Sequence, residues 1–488
     1  MKPIVLIHGY SSEGKDNTFA QIYGTLPDDL RQWVGADQVK ELDLSRWISL
    51  NDGIALDDIS LAMNRALSAE CPELLTAGFQ VIIHSTGALV VRNWIKKFSP
   101  KPCPIDNLIH LAGANFGSGL AHIGKGQLAR WGRQLALGTN CGYRVLTELE
   151  FGSSKTLDLH LHFLQEGSRM YEDYQVQEFC LIGSQIPTAL RLLPIRYTKE
   201  DSSDCTVRTA SGNLNFTHLT IKSRPEAIAE AQAPHQKLMT DRLAGKRIMD
   251  TNYELHHSST EDQERLAIPF AVVYETAHFS DKIGIVTGSQ NRNEVMPLIK
   301  AALDTPYDRG TYANTGKVFA KAHANTFLQA AKLKWRITEW NQQAQYEGHA
   351  QIIFRLRDQN GEPVEHFDIF LNSKPEKNKP QVKLETLIED KHLNQQDKGT
   401  ITFYLRTQKF CNKESNIFAE QLSNIAPLDL EITGHEPLSN DISYLPINIR
   451  LSPEQIRATV KTFQTTVVDV ILLRLPSAKV FEIRKQTR

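Results

Sequence analysis

Between residue 3 and about residue 305, short apolar runs alternate with longer segments whose apolar residues recur at helical spacing. Residues 4–7, 39–44, 80–84, 107–111, 178–182 and 269–274 read as strands, and 19–33, 54–69 and 88–97 as amphipathic helices between them. Strands that are apolar throughout need cover on both faces, and the intervening helices supply it. The pattern predicts an α/β architecture with a mainly parallel, doubly wound sheet.

The rhythm breaks between residues 113 and 175, a stretch too long and too rich in Gly, Leu and aromatic residues for a simple crossover. We read it as an inserted cap, with Leu128, Trp131, Leu135, Leu146, Leu149, Leu159 and Leu164 offering apolar surface to a lid or to the sheet beneath. A helix is expected at 322–346. After it the period changes to two, and 351–357, 366–371, 400–407, 428–433, 445–451, 467–475 and 480–484 are strand candidates. Gln359-Asn360-Gly361 reads as a hairpin turn between the first two. Seven short strands with polar linkers predict an antiparallel, all-β sandwich-like domain. The expected division is therefore 1–345 for an α/β domain, with 113–175 as its cap or lid insertion, and 346–488 for the β-sandwich-like domain. A length of 488 residues, more than one hydrophobic core usually serves, agrees with two domains.

Composition narrows the function classes. A hydrophobic fraction of 41% with 23% charged residues is that of a globular protein. The net charge of -1 gives no field that would draw the chain to nucleic acid, and any contact with a membrane surface must be local. Six cysteines stand without metal-like spacing, which suggests reduced thiols and synthesis in the cytosol. The apolar run after Lys2-Pro3 is too short for a signal peptide, and no run approaches the roughly 20 residues of a membrane span. The expectation is a soluble or at most peripheral protein, with leaderless secretion left open. No cofactor or metal set is expected.

The candidate chemistry starts at Ile82-Ile83-His84-Ser85-Thr86-Gly87-Ala88, an apolar strand that ends in Ser and turns through small residues into a helix. A nucleophile elbow has this shape, because small neighbours let the turn close while the serine oxygen projects from the sheet edge. Ile83 stands where such elbows often carry Gly. By itself such a Ser is more often an ordinary helix cap. His8-Gly9-Tyr10 follows the first strand, at the place of a loop that donates to an oxyanion, so the amides of Tyr10 and Thr86 are the expected pair. A serine nucleophile also needs a base and an acid to orient it, placed later in the chain. Asp204, in the polar loop from Asp201 to Arg208, is the choice for the acid, with Asp201 as competitor. His278, just past the strand at 269–274, is the choice for the base. His110, His160, His162 and the pair His256-His257 are alternatives in less suitable settings.

Ile7-His8-Gly9, His84-Ser85-Thr86-Gly87, Ala114-Asn115-Phe116-Gly117-Ser118, Ser203-Asp204-Cys205-Thr206-Val207-Arg208-Thr209-Ala210-Ser211 and His278 together resemble the bacterial α/β-hydrolase lipases and phospholipases, including phospholipase effectors. The resemblance covers roughly residues 3 to 300 and departs from the pattern at Ile83 and at Cys205, where Gly is common. It implies an α/β-hydrolase fold, a Ser85-Asp204-His278 triad and an acyl-enzyme mechanism on carboxylic esters, with lipids as the expected substrates. An acyltransferase, an esterase of small soluble esters and a degenerate hydrolase serving as a binding module are the alternatives. The second domain resembles no defined family; protein binding and stabilisation are both expected roles for it.

Overall fold

The computed structural model describes residues 2–8, 22–49, 51–119, 121, 142–187, 199–224, 253–257, 265–333, 342–411 and 417–477. Six parallel strands form the first sheet: β1 (Ile4–His8), β2 (Val39–Asp43), β3 (Phe79–His84), β4 (Ile105–Leu111), β5 (Gln177–Gly183) and β8 (Phe270–Val273), in the order β2-β1-β3-β4-β5-β8. Apolar side chains fill both faces: Ile4 to Ile7, Val81 to Ile83, Leu108, Ile109, Phe179 and Leu181 are all buried. The helix Gly87–Phe98 buries Leu89, Val90, Val91, Trp94 and Ile95, and the helix Leu56–Glu70 packs beside it. The helix Arg309–Ala330 lies against β8.

That last helix differs from the expected one at 322–346. It starts earlier because Asp308 caps it, accepting from the Thr311 amide at 2.7 Å, and it ends at Ala330; residues 334–341 lie outside the described residues. Of the helix expected at 19–33, residues 19–21 lie outside the described residues; the chain then turns at Gly24 (φ +54°) and forms the helix Leu26–Val34, with Pro27 in its first turn.

The second sheet contains β6 (Phe216–Ser223), β7 (Tyr253–His257), β9 (His349–Asp358), β11 (Ile388–Leu393), β12 (Thr400–Arg406) and β18 (Thr465–Leu472), in the order β11-β12-β9-β18-β6-β7. A three-stranded sheet of β10 (His366–Ser373), β15 (Leu428–His435) and β17 (Ile447–Leu451) faces it. Leu219, Ile352, Phe354, Leu428, Leu430, Ile432, Val468 and Val470 form the core between them, which makes the unit sandwich-like. Two short pairs, β13 (Gln408–Cys411) with β14 (Ile417–Glu420) and β16 (Ile442–Tyr444) with β19 (Arg474–Pro476), complete it.

Three features depart from the sequence reading. The sandwich is mixed: β18 runs parallel to both β9 and β6. It arrives from the other sheet through the helix Pro453–Thr459, so no tight hairpin sets its direction. The turn at Gln359-Asn360-Gly361 forms, with the Asp358 amide donating to Glu362 O at 2.8 Å, but the chain then crosses to the other sheet and β10 pairs with β15. The strands β6 and β7 were not expected at all, because Thr, His, Lys and Glu dilute their alternation. The strand candidate at 480–484 lies outside the described residues.

The two units meet over a packed surface. Phe116, Leu157, Phe216, Ile353 and Val467 form a shared apolar cluster. Arg355 of β9 binds Asp469 of β18 at 2.6 Å and reaches Asp158 in the helix Ser154–His162. Glu150 accepts from the Gln395 amide at 3.0 Å and lies 2.9 Å from His392 Nε2. Within the expected cap, Leu146, Leu149 and Leu159 are buried, whereas Leu128, Trp131 and Leu135 lie outside the described residues. No helix among the described residues is long and apolar enough to cross a membrane.

Candidate active site

The chain leaves β3 at His84, makes one residue of left-handed backbone at Ser85 (φ +55°) and enters the helix at Gly87. A non-glycine residue in that region is strained by on the order of 1–3 kcal/mol and persists only where the surroundings fix it. They do so here: the Ser85 amide donates to Leu111 O at 3.2 Å, and Ser85 O accepts from the amides of Ala88 and Ala114, each at 3.2 Å. Ile83 does not obstruct the turn. Its side chain is buried in the sheet, with its Cα paired with Ile7 on one side and His110 on the other. Below the turn, the buried Tyr23 hydroxyl donates to Ile7 O at 2.6 Å, tying β1 to the helical layer.

Ser85 Oγ lies 3.0 Å from His278 Nε2, and His278 Nδ1 lies 2.9 Å from Asp204 Oδ2. With Nδ1–H donating to the carboxylate, Nε2 is left as an acceptor facing the serine hydroxyl. His278 sits on the loop after β8. The backbone there is pressed so close to the end of β5 that a Cβ at Gly183 would fall 1.9 Å from Thr276 O. His84 packs against the imidazole with ring centroids 4.6 Å apart and planes tilted by 40°, and His84 Nε2 lies 3.2 Å from His278 O.

Asp204 is fully buried. Its Oδ1 accepts from the amides of Thr206 (3.0 Å) and Val207 (2.7 Å), leaving Oδ2 for the histidine. The turn that carries it is closed by the Ser203–Arg208 bridge and by the Asp204 amide donating to Val207 O at 3.1 Å. Cys205 takes φ +81° in this turn, which explains why glycine is common at the position. Its thiol is enclosed with Ile186 and Phe279, and burial together with the adjacent Asp204 pushes its pKa well up, so it stays a neutral thiol.

The Thr86 amide, at the first turn of the helix, meets no hydrogen-bond acceptor among the described residues. Tyr10, the other expected oxyanion donor, lies outside the described residues. The competing groups are placed elsewhere. Asp201 stands in the same loop as Asp204, but burial raises its carboxyl to about 6, and the charged groups around it are His349, Glu347, Glu389 and Arg406 rather than His278. His110 is buried against Glu178, His160 lies against Asn115 O, and His256 pairs with Glu254 on β7. Sequence reasoning missed His84 as a neighbour of His278, and it missed Arg208, Gln345, Tyr346 and Tyr404 as supports of the loops that carry Asp204 and His278. Each is a contact between distant segments with no local signature.

The strand order, the serine-bearing turn after β3 and the histidine loop after β8 make this an α/β-hydrolase fold with a β-sandwich-like unit appended. Comparison with solved structures finds the same arrangement in phospholipase PlaB from Legionella pneumophila, with a TM-score of 0.77 at 23% identity, covering 100% of this chain and 96% of that one. Its complex with thio-NAD gives 0.76 at 22% identity, covering 100% and 97%. The likeness therefore spans both units, and at this identity it establishes a common fold. The lipase BlEst2 from Bacillus licheniformis is similar over 44% of this chain and 80% of its own, with a TM-score of 0.31 at 16% identity. Neither a scan of protein-family models nor a search of curated proteins gives a match.

Proposed function

We propose that this protein is a serine carboxylic-ester hydrolase of acyl lipids, with phospholipids the first class to test. The observation that carries the reading is the continuous relay of 3.0 and 2.9 Å from Ser85 through His278 to the buried Asp204. In this mechanism His278 takes the Ser85 proton as Oγ attacks the ester carbonyl, and Asp204 orients the imidazole and stabilises its charged form. The oxyanion is received by the Thr86 amide and by that of Tyr10. His278 returns the proton to the leaving alcohol, and water activated by the same histidine releases the acid. The lipid part of the proposal is supported by the full-length likeness to a phospholipase, second unit included.

The test is hydrolysis of defined phospholipids and triacylglycerols by the wild type and Ser85→Ala, with the released chain and its position identified. Acyl release by the wild type alone is the expected result. Cleavage confined to short soluble esters would reduce the assignment to an esterase, and transfer to an added alcohol acceptor in preference to water would make it an acyltransferase. A folded wild type that neither cleaves esters nor is labelled at Ser85 by a fluorophosphonate would leave only a binding module.

A further inference from the structure

The turn that carries Asp204 is closed by Arg208, and the grip on Arg208 comes from outside the hydrolase sheet. Its guanidinium is buried between the rings of Phe151 and Tyr404, at 4.2 and 4.1 Å from their centroids. It donates to Glu200 at 2.6 and 2.9 Å and to Asp390, on β11 of the second sheet, at 2.7 Å. Tyr404, on β12, also donates its hydroxyl to the carbonyls of Asp201 (2.9 Å) and Ser202 (3.1 Å), at the start of the same turn. The Ser202 amide donates to Gln345 O at 3.0 Å. The next residue, Tyr346, accepts from the Glu275 amide at 3.0 Å and so holds the histidine loop as well. Both catalytic loops are thus moored to the start and edge of the second sheet.

We propose that Arg208, clamped by Asp390 and Tyr404, is a positioning residue for Asp204, and that through this clamp the second sheet sets the reactivity of Ser85. The inference rests on the triad proposed above. A charged, planar donor between two rings and two carboxylates has one geometry available, so it transmits position where a purely apolar contact could slide. A shift of about 1 Å at the acid is enough to cost on the order of 100-fold in rate.

Asp390→Asn and Tyr404→Phe in the full chain test the clamp, with Arg355→Gln as a control that breaks a different contact between the units. The expected result is a kcat lowered ~10-fold or more in both clamp variants with KM within about twofold, and fluorophosphonate labelling of Ser85 slowed in the same ratio. Asp390→Glu, which keeps the carboxylate, should recover part of the loss. Arg355→Gln should lower the melting temperature and leave kcat near that of the wild type. Wild-type kcat in folded Asp390→Asn and Tyr404→Phe would overturn the proposal, as would an equal kcat loss in Arg355→Gln. If Asp390→Asn does not fold, Tyr404→Phe, which removes a single oxygen, decides alone. Failure of the triad itself is recognised separately, by full activity in Ser85→Ala.

Discussion

The serine turn and the acid turn solve the same problem, holding a strained residue at a fixed point, by different means. Ser85 is held by its own neighbourhood: β3, the helix that follows, and the carbonyl of Leu111 on the adjacent strand. Asp204 sits in a turn of similar strain, with Ser202 at φ +54° and Cys205 at φ +81°, but supports reach it from Asp390 and Tyr404 of a different sheet and from Gln345 in the short helical turn before that sheet. An elbow between a strand and a helix is stabilised by the regular structure on either side. An irregular turn has no such flanks: amides of its own, those of Thr206 and Val207, hold the buried carboxylate, and its remaining backbone groups are satisfied by what packs over it.

The largest effect should come from the locally held residue. Ser85→Ala is expected to lower kcat by about 10⁶ with the melting temperature unchanged, and Asp204→Asn by about 10⁴, both read from hydrolysis of a chromogenic ester. Equal residual activity in Asp204→Asn and the wild type would remove the acid turn from the comparison. Next comes the base loop: Gly183→Ala places a carbon 1.9 Å from Thr276 O, and the forced displacement should cost roughly 3 kcal/mol in urea denaturation. A variant as stable as the wild type would mean that this loop yields where the acid turn does not.

The smallest effect concerns Asp201, in which the acid turn can be probed without touching Asp204. Burial raises its carboxyl to about 6, so the folded protein holds this proton more tightly than the unfolded chain does. Ionising it therefore costs stability: the cost is absent below the ordinary carboxylate range, grows as pH rises, and is complete above about 6. For a half-buried group this amounts to on the order of 1 kcal/mol. Asp201→Asn should accordingly melt higher than the wild type at pH 7.5 and no higher at pH 4, with activity within about twofold. A large activity loss would reassign the acid.

Most strands of the first sheet were legible as apolar runs bounded by turn residues, β2 (Val-Lys-Glu-Leu-Asp) by its alternation, and Ser85 because it follows the end of one of the apolar strands. His278 was legible for the same reason, as the histidine that follows β8. The strands β6 and β7 were not, since a strand that is half polar is identified by what it pairs with, and β18 lies more than 200 residues further on. The parallel setting of β18 between β9 and β6 is not legible in the sequence for a related reason: pairing partners leave no mark on the strand's own alternation.

Within the site, the same boundary holds. The sequence by itself determined the α/β-hydrolase scaffold and the presence of a second β unit, and it supplied Ser85, Asp204 and His278 as the residues of the proposed triad, all of which follow from local periodicity and from residues standing at strand ends. Only the tertiary structure decided that His84 lies against the base, that Cys205 can take a left-handed backbone, and that Arg208 is clamped by Asp390 and Tyr404. Those contacts join segments far apart in the chain, and their energies come from burial and paired charge, which no local pattern encodes.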